Sequence, residues 1–197
     1  MNTSWLRTPT ARLLGAAGSW FVFVLCFTLL FQAALVVIAL GGSCASGGPY
    51  VIAVECPENV ALYAPLSIFG GFVAIGISFI AGGFGTPLWA WAWAILFIGL
   101  SVTFAVGGSW VIFALFTIMG AVPLVLELRA NVARTFIGYR TLGGVPFAFR
   151  DNTRRSIMSY GAPREGEVVP NAGHALLGIG VPAAGATLGV FSGLAMF

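Results

Sequence analysis

The sequence predicts an all-α fold: a polytopic transmembrane helical bundle of about five spans, N-terminus inside and C-terminus outside. Three observations predict it. The chain is 59% hydrophobic and only 8% charged, with a mean hydropathy of +0.99, a balance suited to hydrocarbon rather than water as solvent. Five apolar stretches each approach the roughly 20 residues that cross a bilayer core at about 1.5 Å per residue. All nine positive charges are arginines, and they cluster in two segments outside those stretches. At 197 residues the chain is read as a single membrane domain.

The first stretch, residues 20–40, carries no charge, and Gln32 is its one strongly polar side chain. Arg7 and Arg12 ahead of it imitate a signal peptide, but the run exceeds the usual apolar region of about 7 to 15 residues. Leu40-Gly41-Gly42-Ser43-Cys44 resembles a lipoprotein cleavage site with its Leu one place too far from the Cys. A retained first helix is therefore expected. The second stretch, residues 61–81, places Pro65 in its first turn, where a missing N–H is tolerated. Gly82-Gly83-Phe84-Gly85-Thr86-Pro87 then breaks the helix, because Gly and Pro together favour a tight turn.

The third stretch, residues 87–106, holds Trp89, Trp91 and Trp93. Taken alone, Trp-Ala-Trp-Ala-Trp alternates like a strand. The uninterrupted apolar sequence beyond it argues instead for a helix with an interfacial aromatic belt. Gly107-Gly108 makes a short turn into the fourth stretch, residues 109–126, where Pro123 is expected to kink the helix. The fifth, residues 174–197, is glycine-rich and contains Pro182. Its Gly185, Gly189 and Gly193 recur every fourth residue, so they share one face and let another helix backbone approach closely.

Arg7 and Arg12 precede the first span, and the other seven arginines lie between the fourth and fifth. Under five spans the two groups share a side, and the positive-inside rule makes it cytoplasmic. Residues 42–60 then form an outer loop and residues 128–171 a basic cytoplasmic loop. The net charge of +3 reflects this topology and not a nucleic-acid footprint. Lysine is absent altogether, which reads as the codon bias of a high-GC bacterium.

Cys44 and Cys56 bracket the outer loop, on the oxidising face where a disulfide persists, and a structural bridge is expected. A redox role would require a Cys-x-x-Cys pair and a second exchanging pair, neither of which is present. Cys26, inside the first span, reads as a small packing residue.

Cys44-Ala-Ser-Gly-Gly-Pro-Tyr50, then Cys56-Pro57, then Ile68-Phe69-Gly70-Gly71, resembles a pattern in uncharacterised actinobacterial multi-pass integral membrane proteins. The resemblance covers residues 44–71. It implies a bacterial plasma membrane and supplies no activity, ligand or catalytic residue. On the residues themselves, Gly47-Gly48-Pro49 turns the loop and Tyr50 sits at headgroup level.

Catalytic and transport signatures are sparse. The interiors of the five spans contain no Asp, Glu, Lys, Arg or His, the groups whose costly burial usually marks proton or ion pathways. Gln32 reads as packing glue. Glu127, beside Arg129, reads as a solvated helix end, and His174 has no partners at a metal-binding spacing. No phosphate loop, nucleophile elbow or zinc pattern occurs, so no metal or cofactor is called for. Leu128 to Tyr139 is expected to continue the fourth helix into the cytoplasm. Arg150, Arg154 and Arg155 could hold anionic lipid headgroups at about 1 kcal/mol each, although enforcing topology suffices to explain them.

The sequence thus points to a non-enzymatic accessory or structural protein whose partners are the bilayer and other membrane proteins or a second copy. The alternative is a transporter or channel subunit for a neutral or lipid-like solute, its pathway lined by small polar groups such as Ser67, Ser78, Ser101 and Thr103. A membrane-embedded enzyme ranks third.

Overall fold

Prolines and glycines mark most of the helix boundaries in this chain, at Pro9, Pro57, Pro87 and Gly107. The computed structural model describes residues 8–45, 54–82, 84–130, 132–138, 140–141, 167–168 and 172–197. The expected turn at Gly47-Gly48-Pro49, Tyr50, and the arginines at 150, 154 and 155 lie outside the described residues.

The first helix, α1, spans Pro9–Ala39, beginning well before Trp20. Thr8 is the reason: its hydroxyl accepts the Ala11 N–H at 3.2 Å, and Pro9 supplies a preset backbone at the first helical position. The added turns bring Arg12 into the helix, half-buried beside Gly82. At 31 residues α1 is roughly 46 Å long, more than a hydrocarbon core requires.

Helix α2 spans Glu58–Ser78 and closes with a 3₁₀ turn over Phe79–Ala81. It begins a turn earlier than Ala61, with Pro57 at its N-cap, so Pro65 lies in the helix interior and not its first turn. Helix α3 spans Leu88–Val106, and the alternating tryptophans are helical. Gly108, at φ +75°, turns the chain directly into α4, Trp110–Ala130. The chain does not continue α4 straight outward from the bundle. It breaks and forms a short helix, α5, over Val132–Ile137, which packs against the last helix, α6, Ala172–Met196. Arg140–Thr141 (β1) and Glu167–Val168 (β2) pair as a two-residue antiparallel ladder between α5 and α6.

Five of these helices, α1 to α4 and α6, are long and apolar enough to cross a membrane. Helix α1 is central. It packs most extensively with α6 and α2 and also touches α3, whereas α4 packs chiefly on α3. The core joins Trp20, Phe23 and Val24 of α1, Ala74 of α2, and Leu88 and Ala92 of α3. Ala17 of α1 faces Gly185 of α6, Phe21 and Leu25 face Gly189, and Thr28 faces Gly193. Both residue series ascend together, so α1 and α6 run parallel and begin at the same end of the bundle. That is the arrangement an odd number of spans requires.

Candidate functional site

Where two helices are to touch backbone to backbone, the sequence must leave out side chains, and α6 does so on one face. A Cβ at Gly189 would stand 2.6 Å from the Phe21 carbonyl oxygen and 2.9 Å from the Leu25 nitrogen. At Gly193 it would meet Thr28 Cβ at 2.8 Å, and at Gly185 it would run into the Ala17 carbonyl. The three glycines therefore form one seam with α1, within the chain rather than between copies. Beyond the seam Gly178 makes a further close approach, to Ile137 and Gly85 rather than to α1. Gly178 abuts Gly85, whose own Cβ position lies 2.9 Å from the Gly178 carbonyl oxygen and whose φ is +76°. The signal for that contact is long-range, so local periodicity could not have revealed it.

Around this end of the seam lies a polar knot built from backbone carbonyls. Trp20 Nε1 donates to the Thr86 carbonyl at 2.9 Å, and the Thr86 N–H donates to the Gly178 carbonyl at 2.9 Å. Thr86 Oγ1 donates to the Phe136 carbonyl at 2.6 Å, and Trp91 Nε1 to the Thr135 carbonyl at 2.8 Å. The knot draws together α1, the turn before α3, α5 and α6. Indole N–H groups seek a partner when removed from water, and Trp91 finds one on α5 rather than in the headgroup layer. Glu127 also departs from expectation. It is only 8% exposed, because α5 folds back so that Thr135 Oγ1 lies 3.4 Å from the Glu127 carbonyl. A solvated helix end is thus the wrong description of it.

At the opposite end, Cys44 and Cys56 are joined in a disulfide, with Cα atoms 5.0 Å apart. Two backbone hydrogen bonds brace the same loop, Ala45 N–H to the Val54 carbonyl and Cys56 N–H to the Ala45 carbonyl, each at 3.1 Å. Tyr63 donates to the Met196 carbonyl at 3.1 Å and packs near Phe197, fastening the start of α2 to the end of α6. Cys26 is a free thiol whose Sγ points at Gly70 of α2, a packing position.

The small polar side chains named as pathway candidates divide sharply. Ser78 donates to the Ile75 carbonyl at 2.6 Å, Ser101 to the Ile98 carbonyl at 2.7 Å and Thr103 to the Leu100 carbonyl at 2.7 Å. Each is satisfied on its own helix. Thr117 adds a bond to Ser101 Oγ at 3.0 Å, tying α4 to α3. Ser67 differs: it is 4% exposed and its hydroxyl has no partner. It lines an apolar cavity of about 200 Å³ between α1, α2 and α3. Gln32 Nε2 is likewise buried without a partner.

Among the described residues no group of three or more His, Cys, Asp or Glu side chains could hold a metal ion. The His174 side chain lies outside what is described. Comparison of the chain with family models, curated proteins and solved structures returns no match.

Proposed function

We propose that this chain is a non-enzymatic integral membrane protein that serves as an accessory or structural component of a membrane assembly. The observation that carries the proposal is how the spans use their polar atoms. Ser78, Ser101, Thr103 and Thr117, with the indole N–H groups of Trp20, Trp91 and Trp93, all bond within the bundle. The indoles and Thr117 fasten one element to another, while Ser78 and Thr103 close on their own turns. The outer faces of α2 and α4 instead carry large apolar side chains, with Phe69 70%, Phe72 69% and Val111 83% exposed. Such faces suit lipid or a neighbouring helix. A pull-down of the full chain in mild detergent should recover a stoichiometric membrane partner or a second copy. Recovery of a monomer alone, under conditions that keep known complexes of the same membrane intact, would count against the proposal.

The proposed setting is a bacterial plasma membrane, with the end that carries the arginine-rich segments facing the cytoplasm. The parallel pairing of α1 and α6 supports one shared side for both segments, and the positive-inside rule supplies the sign. A reporter fused after Phe197 should therefore behave as extracytoplasmic, and cytoplasmic reporter activity would overturn the orientation.

A second reading, a carrier for a neutral or lipid-like solute, is favoured by one feature, the α1–α2–α3 cavity with the free Ser67 hydroxyl.

A further inference from the structure

That cavity has a chemistry specific enough to name an occupant. Phe23 and Phe27 of α1, Phe72 of α2, and Trp89 and Trp93 of α3 form its walls. Its volume is about 200 Å³, while an apolar protein cavity of roughly 150 Å³ accommodates a benzene ring. A single substituted ring fits; an entire lipid does not, and the remainder of such a molecule would extend through the open side into the bilayer.

Ser67 contributes the one hydroxyl. Helical Ser and Thr in apolar surroundings ordinarily donate to a carbonyl three or four residues back, as Ser19, Thr28, Ser78, Ser101 and Thr103 do here. Ser67 makes no such bond, although it is 4% exposed, so nothing in the chain takes its proton, and a turn of the hydroxyl toward the cavity it lines would give it an acceptor there. A buried hydroxyl left unsatisfied is costly enough to expect a partner.

Depth narrows the class further. Ser67 lies near the middle of α2, roughly 14 Å along the helix from Glu58. The ester oxygens of a glycerolipid stay at the boundary of a hydrocarbon core about 30 Å thick, and its acyl chain brings no oxygen to this level. A neutral ring lipid can carry its polar atom there. We propose that the α1–α2–α3 cavity binds the ring of a neutral lipid through a carbonyl oxygen, a ring ketone or quinone, that accepts the Ser67 hydroxyl. The site stands whether the chain is an accessory component or a carrier, and its test is separate from the pull-down.

The full chain in phosphatidylglycerol–phosphatidylethanolamine nanodiscs can be photolabelled with 4-decylbenzophenone, an aryl ketone with an alkyl tail, and the insertion sites mapped by peptide mass spectrometry. Saturable insertion is expected within residues 23–30, 67–75 and 89–96, which line the cavity. 4-Decylacetophenone should compete for it, and decylbenzene, which lacks the carbonyl, should compete roughly three- to tenfold less well, the range of one hydrogen bond in a membrane. Ser67→Ala removes no bond within the chain, so the bundle should fold. It should erase the difference between the two competitors without weakening decylbenzene. Gly71→Leu, which fills the cavity from α2, should abolish saturable labelling. Unsaturable labelling spread over the lipid-facing helices would overturn the site. Equal competition by the ketone and the hydrocarbon would overturn the carbonyl contact.

Discussion

The α1–α6 seam and the α3–α4 hairpin join helices by opposite means. On α6 the contact is made by what is missing, and Gly185, Gly189 and Gly193 bring two backbones together. Between α3 and α4 the contact is made chiefly by what is large, with Gly120 of α4 set close against Ile98. Phe116 packs against Phe97 and Phe104 in tilted and edge-to-face geometry, with ring centroids 5.4 and 5.0 Å away, and Trp93 reaches across to the Met119 carbonyl at 3.0 Å. Lipid is as apolar as Leu, so neither seam gains from leaving water; both depend on close packing and on hydrogen bonds. A backbone-to-backbone seam has no side chain that can turn aside, and so it tolerates error worst. An aromatic seam can reorient its rings.

The largest effect is therefore expected at Gly189→Leu. The new side chain would meet backbone atoms of α1, which cannot rotate away, and the loss should reach or exceed about 3 kcal/mol, the upper end for overpacking. Thermal unfolding in detergent measures it, and an unchanged melting temperature would remove the seam from the account. Next in size is the far loop. Cys44→Ser together with Cys56→Ser should cost about 2 to 4 kcal/mol on the chain-entropy view of a loop of this length. Thiol labelling of denatured, unreduced wild-type protein checks the premise, since one reactive cysteine is expected and three would mean that no bridge exists.

The aromatic seam should yield less. Trp93→Phe keeps a ring against Phe97 but loses the bond to Met119, a change of about 0.5 to 1.5 kcal/mol. If it proved as damaging as Gly189→Leu, the contrast between the seams would fail. The smallest effect is expected next door to the largest. Leu188 is 60% exposed, about 100° around α6 from Gly189, and Leu188→Ala should shift stability by no more than about 0.5 kcal/mol. The pair of adjacent substitutions isolates the face, because depth in the membrane barely differs between them and the helix propensity gained in Gly189→Leu works against the predicted loss.

Spans were readable from the sequence because hydropathy is a local sum, and the glycine face because small residues four apart recur on one helix. The start of α1 is encoded locally too, in Thr8-Pro9, ahead of the charge at Arg12 that bounds the apolar run. What escaped depended on residues far apart in the chain. The fold-back of α5 that buries Glu127, the meeting of Gly85 with Gly178, and the bond from Trp20 to the Thr86 carbonyl each require a partner that no local pattern encodes. Ser67 looked the same as Ser78 and Ser101 in sequence. Only the folded bundle distinguishes a hydroxyl satisfied by its own turn from one left without a partner beside a cavity.

These seams should close the bundle to solutes, with Ser78, Ser101, Thr103 and Thr117 bonded to their own turns or to a neighbouring helix rather than lining a path. Reconstituting the purified chain in liposomes and measuring flux of ions and small neutral solutes tests this most directly. Flux equal to that of protein-free liposomes is predicted, whereas saturable flux that Ser78→Leu abolishes would contradict the claim.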